Sequence, residues 1–363
     1  MTGPRVAILS SGLGRINRGN ETWALRLADD LATAGVDVAL FTGGPVGSRA
    51  RTRVLRNIPR EAPLLRSVLS WDRRYLLEQV TFAAAFRRAW RGEFDVVHTA
   101  DPNVAQQLLR HAQTRRYRLI YKYGLAIGAD WCAKFPWVQV LAPYYKEEGT
   151  RAGRDVSRWR VIPHYAPPAR PTEARTVFRR NSLGIPSEPC TVVLSVGDFT
   201  PGSRKRLDWV IEETAKVDRP LFLVLAGHAA KADLEQLSRL ANARLPGRHK
   251  LLPNVPREHM AAVYEAADVL VHAALREPFG IVLIEAMSYG LTPVVHTFAV
   301  TRWIVGEAGL AIDMTRPGEL AAALGRLRET QEARAAARAR VQEQFSPEKV
   351  LPLYVAMYRE AAG

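Results

Sequence analysis

Arg276-Glu-Pro-Phe-Gly-Ile-Val-Leu-Ile-Glu-Ala-Met-Ser-Tyr-Gly290 lies between two apolar runs, Val269-Leu-Val-His-Ala-Ala-Leu275 and Thr292-Pro-Val-Val-His296. Short apolar runs bounded by turn residues read as buried strands. Ile281 to Tyr289 has helical composition, and Gly290 stands where a helix stops. The stretch is therefore strand, loop, helix, strand, the repeating unit of a parallel sheet. This order puts Glu277 at the carboxyl end of the first strand and Glu285 between one and two turns into the helix, so both carboxylates line one crevice. The amides of Phe279, Gly280, Ile281 and Val282 stand at the helix N-terminus with no helical turn before them, and an anion fits there.

The same alternation runs along the whole chain. Apolar runs at Val6–Ser10, Val38–Thr42, Val96–Thr99, Leu119–Tyr123, Val138–Ala142, Trp159–Pro163, Thr191–Val196, Leu221–Gly227 and Val269–Leu275 are separated by helical stretches. Pro163-His-Tyr-Ala-Pro-Pro-Ala-Arg-Pro171 breaks the rhythm, and a second cluster follows at Ile185-Pro-Ser-Glu-Pro189. A linker belongs there. Two α/β domains of doubly wound, Rossmann-like type follow, over residues 1–170 and 171–345, with the helical stretch 346–363 crossing back to the first. Gln331 to Gln344 is Ala, Arg and Glu at helical spacing and reads as a solvated helix.

With 363 residues and 47% hydrophobic content, the chain is long enough for two packed cores. Cys132 and Cys190 are far apart and lack metal-ligand spacing, so neither a disulfide framework nor a metal site is implied. The first strand-like run begins at once, no signal-peptide pattern precedes it, and no 18 apolar residues run uninterrupted. A cytoplasmic protein is expected, with the inner face of the membrane as a candidate peripheral location.

The net charge of +15 is unevenly spread. Residues 1–170 hold 27 Lys and Arg against 14 Asp and Glu, and residues 171–363 hold 24 against 22. Residues 51–92 alone contain ten Arg and three acids, interleaved with Leu64, Leu65, Val68, Leu69, Leu76 and Leu77. Such a stretch is either a solvated helical face over an ordinary core or a surface for anionic lipid or an acidic acceptor. No nucleic-acid-binding motif accompanies the charge, so nucleic acid is not an expected partner.

A second signal is Leu194-Ser-Val-Gly-Asp-Phe-Thr-Pro-Gly-Ser-Arg-Lys-Arg-Leu-Asp-Trp209, in which a Gly/Pro/Ser loop brings Arg204, Lys205 and Arg206 to a helix start after a strand. In an open parallel sheet that edge borders the ligand crevice, so the cations and the Phe279 helix end are positioned to grip one diphosphate.

Together these stretches resemble the retaining glycosyltransferases of GT-B fold, specifically glycosyltransferase family 4 (glycosyl transferases group 1). The Glu277 to Gly290 stretch matches that family's paired-glutamate motif at every defining position, and Lys205 with Leu207-Asp208 matches its phosphate-binding lysine segment. Weaker echoes are Asp95-Val-Val-His98 with Asp101-Pro-Asn103, Val161-Ile-Pro163, and Gly19-Asn20-Glu21 at the first helix. The resemblance implies two Rossmann-like domains facing an interdomain cleft, the first binding the acceptor and the second a UDP-, GDP-, ADP- or dTDP-sugar donor.

By that resemblance Glu285 binds the ribose hydroxyls, which a carboxylate accepts well. Glu277 holds the transferred sugar and steadies positive charge near its anomeric carbon. Phe279, Gly280 and Ile281 offer backbone amides, Gly19 and Asn20 lie on the donor side, and Lys205 neutralises the departing phosphate. Such preorganised charge stabilises the transition state more than the ground state. No metal and no cofactor is then expected, and no Asp-x-Asp pair follows a strand.

Two positions depart from the family pattern. Asp198 follows Gly197 where an arginine is usual, which leaves Arg204 or Arg206 as replacements; without either, diphosphate affinity falls by about 1.5 to 3 kcal/mol. Tyr123 stands where a histidine is frequent, and His98 is the nearest imidazole on the acceptor side. A tyrosine hydroxyl hydrogen-bonds a sugar but cannot take a proton near neutral pH. Seven aromatics between Tyr121 and Tyr145 suit either an acceptor pocket or the core. The readings left open are a catalytically impaired nucleotide-sugar-binding protein and a GT-B-fold epimerase or phosphorylase. A nicotinamide dehydrogenase is excluded: Gly12-Leu-Gly14 is followed by Asn17 where the fingerprint needs glycine, and the second strand ends in Phe41-Thr42 with no acid for a ribose.

Overall fold

The computed structural model describes residues 3–16, 18–123, 127–169, 173–186 and 189–363. Asn17, Arg170, Pro171, Ser187 and Glu188, quoted above, lie outside the described residues, as does the expected 170/171 boundary. The chain divides into two compact units, one of residues 1–164 and 350–363, the other of residues 165–349.

In the first unit the parallel strands are β1 (Val6–Ser10), β2 (Val38–Thr42), β3 (Arg51–Val54), β4 (Val96–Thr99), β5 (Arg118–Lys122), β6 (Trp137–Val140) and β7 (Trp159–Val161). Their order across the sheet is β3-β2-β1-β4-β5-β6-β7. The second unit has β8 (Thr191–Val196), β9 (Leu221–Gly227), β10 (His249–Pro253), β11 (Val269–His272), β12 (Thr292–His296) and β13 (Leu310–Ile312), ordered β10-β9-β8-β11-β12-β13. In both sheets the order reverses beside the first strand, between β1 and β4 and between β8 and β11. Those switch points are where an open α/β sheet leaves a crevice at its carboxyl edge.

The central strands are β-branched and leucine runs with almost every residue buried, as strands covered on both faces require. The helix Pro347–Ala362 closes the first unit. It buries Tyr354, which accepts hydrogen bonds from Trp23 Nε1 at 2.9 Å and Gln139 Nε2 at 2.8 Å, and Tyr358, 2.8 Å from His98 Nδ1. The helix Gln331–Gln344 is mostly solvated but is pinned in the second unit: Ala337 and Val341 are buried, Arg334 pairs with Asp268, and Arg340 donates to the carbonyls of Trp303 and Ile304.

β3, β10 and β13 are not among the apolar runs marked in the sequence, and each is a sheet edge. β3 is Arg-Thr-Arg-Val, with Arg51 paired to Asp37 at 2.6 Å and Arg53 to Glu93 at 2.5 Å. A strand with one neighbour is half solvated, and charge there also blocks edge-to-edge pairing. Among the described residues no helix is long and apolar enough to cross a membrane.

Candidate active site

The loop after β8 is shaped around Lys205. A Cβ on Gly197 would lie 2.5 Å from the Lys205 Cβ, so only glycine there lets the lysine stem pass. Asp198 does not turn toward the lysine; its Oδ1 accepts the Thr200 amide at 3.1 Å and closes the loop. Arg206 has a left-handed backbone, φ 55°, just before the helix Leu207–Thr214. Its guanidinium lies 4.3 Å from the Trp209 ring centroid and donates to the Met314 carbonyl at 2.9 Å. These contacts hold Arg206 against the loop. Arg204 is exposed, without a hydrogen bond or ion pair among the described residues.

Lys205 Nζ donates to Glu277 Oε2 at 2.6 Å, and His272 Nε2 lies 3.1 Å from the same oxygen. A carboxylate only accepts, so the buried imidazole, neutral because burial lowers its pKa, carries its proton on Nε2. Burial alone would raise the Glu277 carboxyl, but the His272 hydrogen bond and the Lys205 charge outweigh it and hold the group at about 2. Both partners use Oε2, and Oε1 has no partner among the described residues.

The chain then turns through Gly280, φ 81°, into the helix Ile281–Ser288. The ring of Phe279 is buried and packs edge-on against Trp303 and Phe345, at centroid distances of 6.5 and 5.9 Å. Inside the helix, Glu285 accepts from Arg257 through Oε1 at 3.1 Å and from the Tyr264 hydroxyl through Oε2 at 3.0 Å. Tyr264 stacks on Tyr289. The second unit thus brings together Lys205, Glu277, Gly280, Ile281 and Glu285, and adds His272, Tyr264 and Arg257. His272 had a visible signal, a polar residue ending an apolar strand five positions before Glu277. Tyr264 and Arg257 had none.

In the first unit Gly19 and Asn20 open the helix Gly19–Thr33. Asn20 Oδ1 accepts from Lys122 Nζ at 3.1 Å, and burial brings that lysine down to about 7 despite the charges of Glu21 and Asp101. Arg60, also buried, clamps Glu78 at 2.5 Å. Both acceptor-side candidates are buried. His98 is fully buried among Trp23, Tyr354 and Tyr358, and burial with the Lys122 charge lowers it to about 3, so it is a neutral core group out of reach of solvent. The Tyr123 ring is 5% exposed and lies against Tyr145 at 4.4 Å. Most rings between Tyr121 and Tyr145 fill the core, as Tyr121 against Phe135 at 4.8 Å illustrates.

Residues 178–344 match the family model for glycosyl transferases group 1. Those residues are similar to a group 1 glycosyl transferase domain. A D-inositol 3-phosphate glycosyltransferase of Mycobacterium leprae is 31% identical over 205 residues, covering 53% of this chain and 46% of that one. The chain spans about half the length of the curated relatives it matches. Sucrose-phosphate synthase from Thermosynechococcus elongatus superposes with a TM-score of 0.81 at 21% identity, over 98% of both chains. The Anabaena HepE structure in complex with UDP and glucose does so with a TM-score of 0.77 at 15% identity, over 97% of this chain and 98% of that one. These likenesses make the fold GT-B. The matched residues include both glutamates and Lys205, and among the described residues no group of three His, Cys, Asp or Glu is assembled that could hold a metal ion.

Proposed function

We propose that the chain is a metal-independent, retaining glycosyltransferase that moves a sugar from a nucleotide-sugar donor to an acceptor hydroxyl. The observation that supports it best is the Lys205–Glu277–His272 cluster beside the Ile281–Ser288 helix N-terminus. A cation, a fixed carboxylate and backbone amides meet at one strand end, as a diphosphate bonded to a sugar requires. Lys205 and the amides of Gly280 and Ile281 take the negative charge that grows on the phosphate oxygen as the anomeric carbon–oxygen bond breaks. Glu277 accepts a sugar hydroxyl through Oε1 and stabilises positive charge at the anomeric carbon. The acceptor oxygen bonds to that carbon and its proton leaves with the nucleoside diphosphate. Glu285, held by Tyr264 and Arg257, takes the ribose hydroxyls; Phe279 contributes backbone only, and Arg204 supplies the second cation near the diphosphate. The first unit is assigned the acceptor. Two cysteines in 363 residues supply no disulfide framework, which suits a reducing cytoplasm.

Nucleotide release measured with donor and candidate acceptors tests this reading. Release is expected only with both substrates, with the product sugar keeping the donor's anomeric configuration by NMR. Donor binding with no release under any acceptor would instead favour a binding protein of the same fold, and an inverted product would remove retention.

A further inference from the structure

We propose that the segment from Ile58 to Leu76 is a docking surface for an anionic lipid bilayer. Six of the large hydrophobic side chains left exposed by the fold fall between Val54 and Leu76: Val54, Ile58, Leu64, Val68, Trp71 and Leu76. Leu64 is 86% exposed and Val68 70%. The others, Val177, Leu310 and Leu353, are scattered along the chain, and single apolar side chains are ordinary on a protein surface, whereas six within 23 residues are not.

Local structure explains why these residues face outward together. Pro63–Arg66 makes one helical turn, the chain bends, and Ser70 caps the helix Trp71–Ala89 by accepting the Arg73 amide. Leu65, Leu69 and Leu77 turn partly inward and seat this elbow, leaving Leu64, Val68 and Trp71 outward. Trp71 stacks on Tyr75 at 4.9 Å, a flat aromatic pair of the kind enriched at membrane–water interfaces.

Charge selects the occupant. The structure neutralises much of this region's arginine: Arg51, Arg53 and Arg60 are each paired with an acid, and Arg66 lies 2.5 Å from Glu61. Arg56 and Arg73 remain exposed between the apolar side chains, with Asp72 opposing them. An exposed elbow carrying leucine, valine and tryptophan beside exposed arginines matches a lipid headgroup layer better than a folded partner. The elbow is also fixed to the carboxyl edge of the first sheet. Asn57 Nδ2 donates to the Ser11 carbonyl at 3.2 Å, Arg15 donates to Asn57 at 2.6 Å, and the Arg60 amide donates to Glu78 at 2.8 Å. A bilayer bound here presents its headgroups beside the loop that follows β1.

The test is co-sedimentation of the full chain with vesicles of phosphatidylcholine alone and of phosphatidylcholine containing phosphatidylglycerol, at low and high salt. Binding is expected only to the anionic vesicles and is expected to weaken with salt. The Leu64→Glu/Val68→Glu double variant should lower the bound fraction at least about tenfold, since two apolar side chains lose their burial. Its thermal unfolding should match the parent, and Leu353→Glu, on the helix Pro347–Ala362, should bind as the parent does. No sedimentation of the parent with anionic vesicles at low salt would overturn the proposal, as would equal binding by the double variant. A parent dimer in light scattering that the double variant abolishes would assign the face to a second copy.

Discussion

Replacing Lys205 or Glu277 by alanine is expected to lower turnover at least about 100-fold, the usual cost of removing one preorganised charge that acts in the transition state. The two losses should not add. Lys205 and His272 meet on one oxygen of Glu277, so either substitution dismantles the same cluster, and the double variant is expected to fall little below the worse single one. Glu277→Gln separates charge from shape, because it keeps the volume and a hydrogen-bond acceptor while leaving Lys205 unneutralised. The pair also gives the fold a pH signature. The Glu277 pKa is depressed from 4.5 to about 2, so its contribution to stability is complete above the ordinary value and is lost as pH falls toward 2. Steady-state nucleotide release by the variants, with unfolding midpoints as the control for folding, checks the claim; intact turnover in either alanine variant would contradict it.

Phe279→Ala is expected to destabilise the second unit by about 3 to 5 kcal/mol, the range for deleting a buried aromatic ring. The Phe279 ring is 2% exposed and meets Trp303 and Phe345 edge-on, and those two rings pack against each other at 5.3 Å. The cavity cannot collapse easily around two further rings. Because residue 279 lies two positions after Glu277 and just before the helix, loss of the anchor also loosens the carboxylate. Urea unfolding gives the first effect. Phe279→Leu, which keeps most of the volume, should recover most of the stability and activity, and a destabilisation below about 1 kcal/mol would show that the ring is not the anchor described.

The sequence was most legible where burial and chemistry coincide. Central strands such as β1, β8 and β9 are two-sided and therefore apolar throughout, and their bounds could be read directly. The edges β3, β10 and β13 face water on one side, so Arg51-Thr-Arg-Val54 looks like a charged loop until its pairing with β2 is seen. At the site, Glu277, Gly280 and Glu285 were visible because spacing from a strand end through a helix start fixes where they point. Tyr264 and Arg257 reach Glu285 from a different element, a relation that only folding creates. The contacts of Arg206 with Trp209 and the Met314 carbonyl, and its left-handed backbone, had no signal in the sequence. Residue type named His98 and Tyr123 as candidates, but their strand faces turn them into the core. The clustered arginines of residues 51–92 likewise lose much of their charge to acids brought near by the fold.

The claim at the centre of the account is that a nucleotide-sugar diphosphate is held beside Lys205. Thermal shift of the parent and of Lys205→Ala with UDP-, GDP-, ADP- and dTDP-sugars measures it most directly. One donor class should stabilise the parent, by about 2.7 kcal/mol at 100 times its dissociation constant, and should give a clearly smaller shift with the variant. No shift with any of the four, or the same shift in parent and variant, would contradict it.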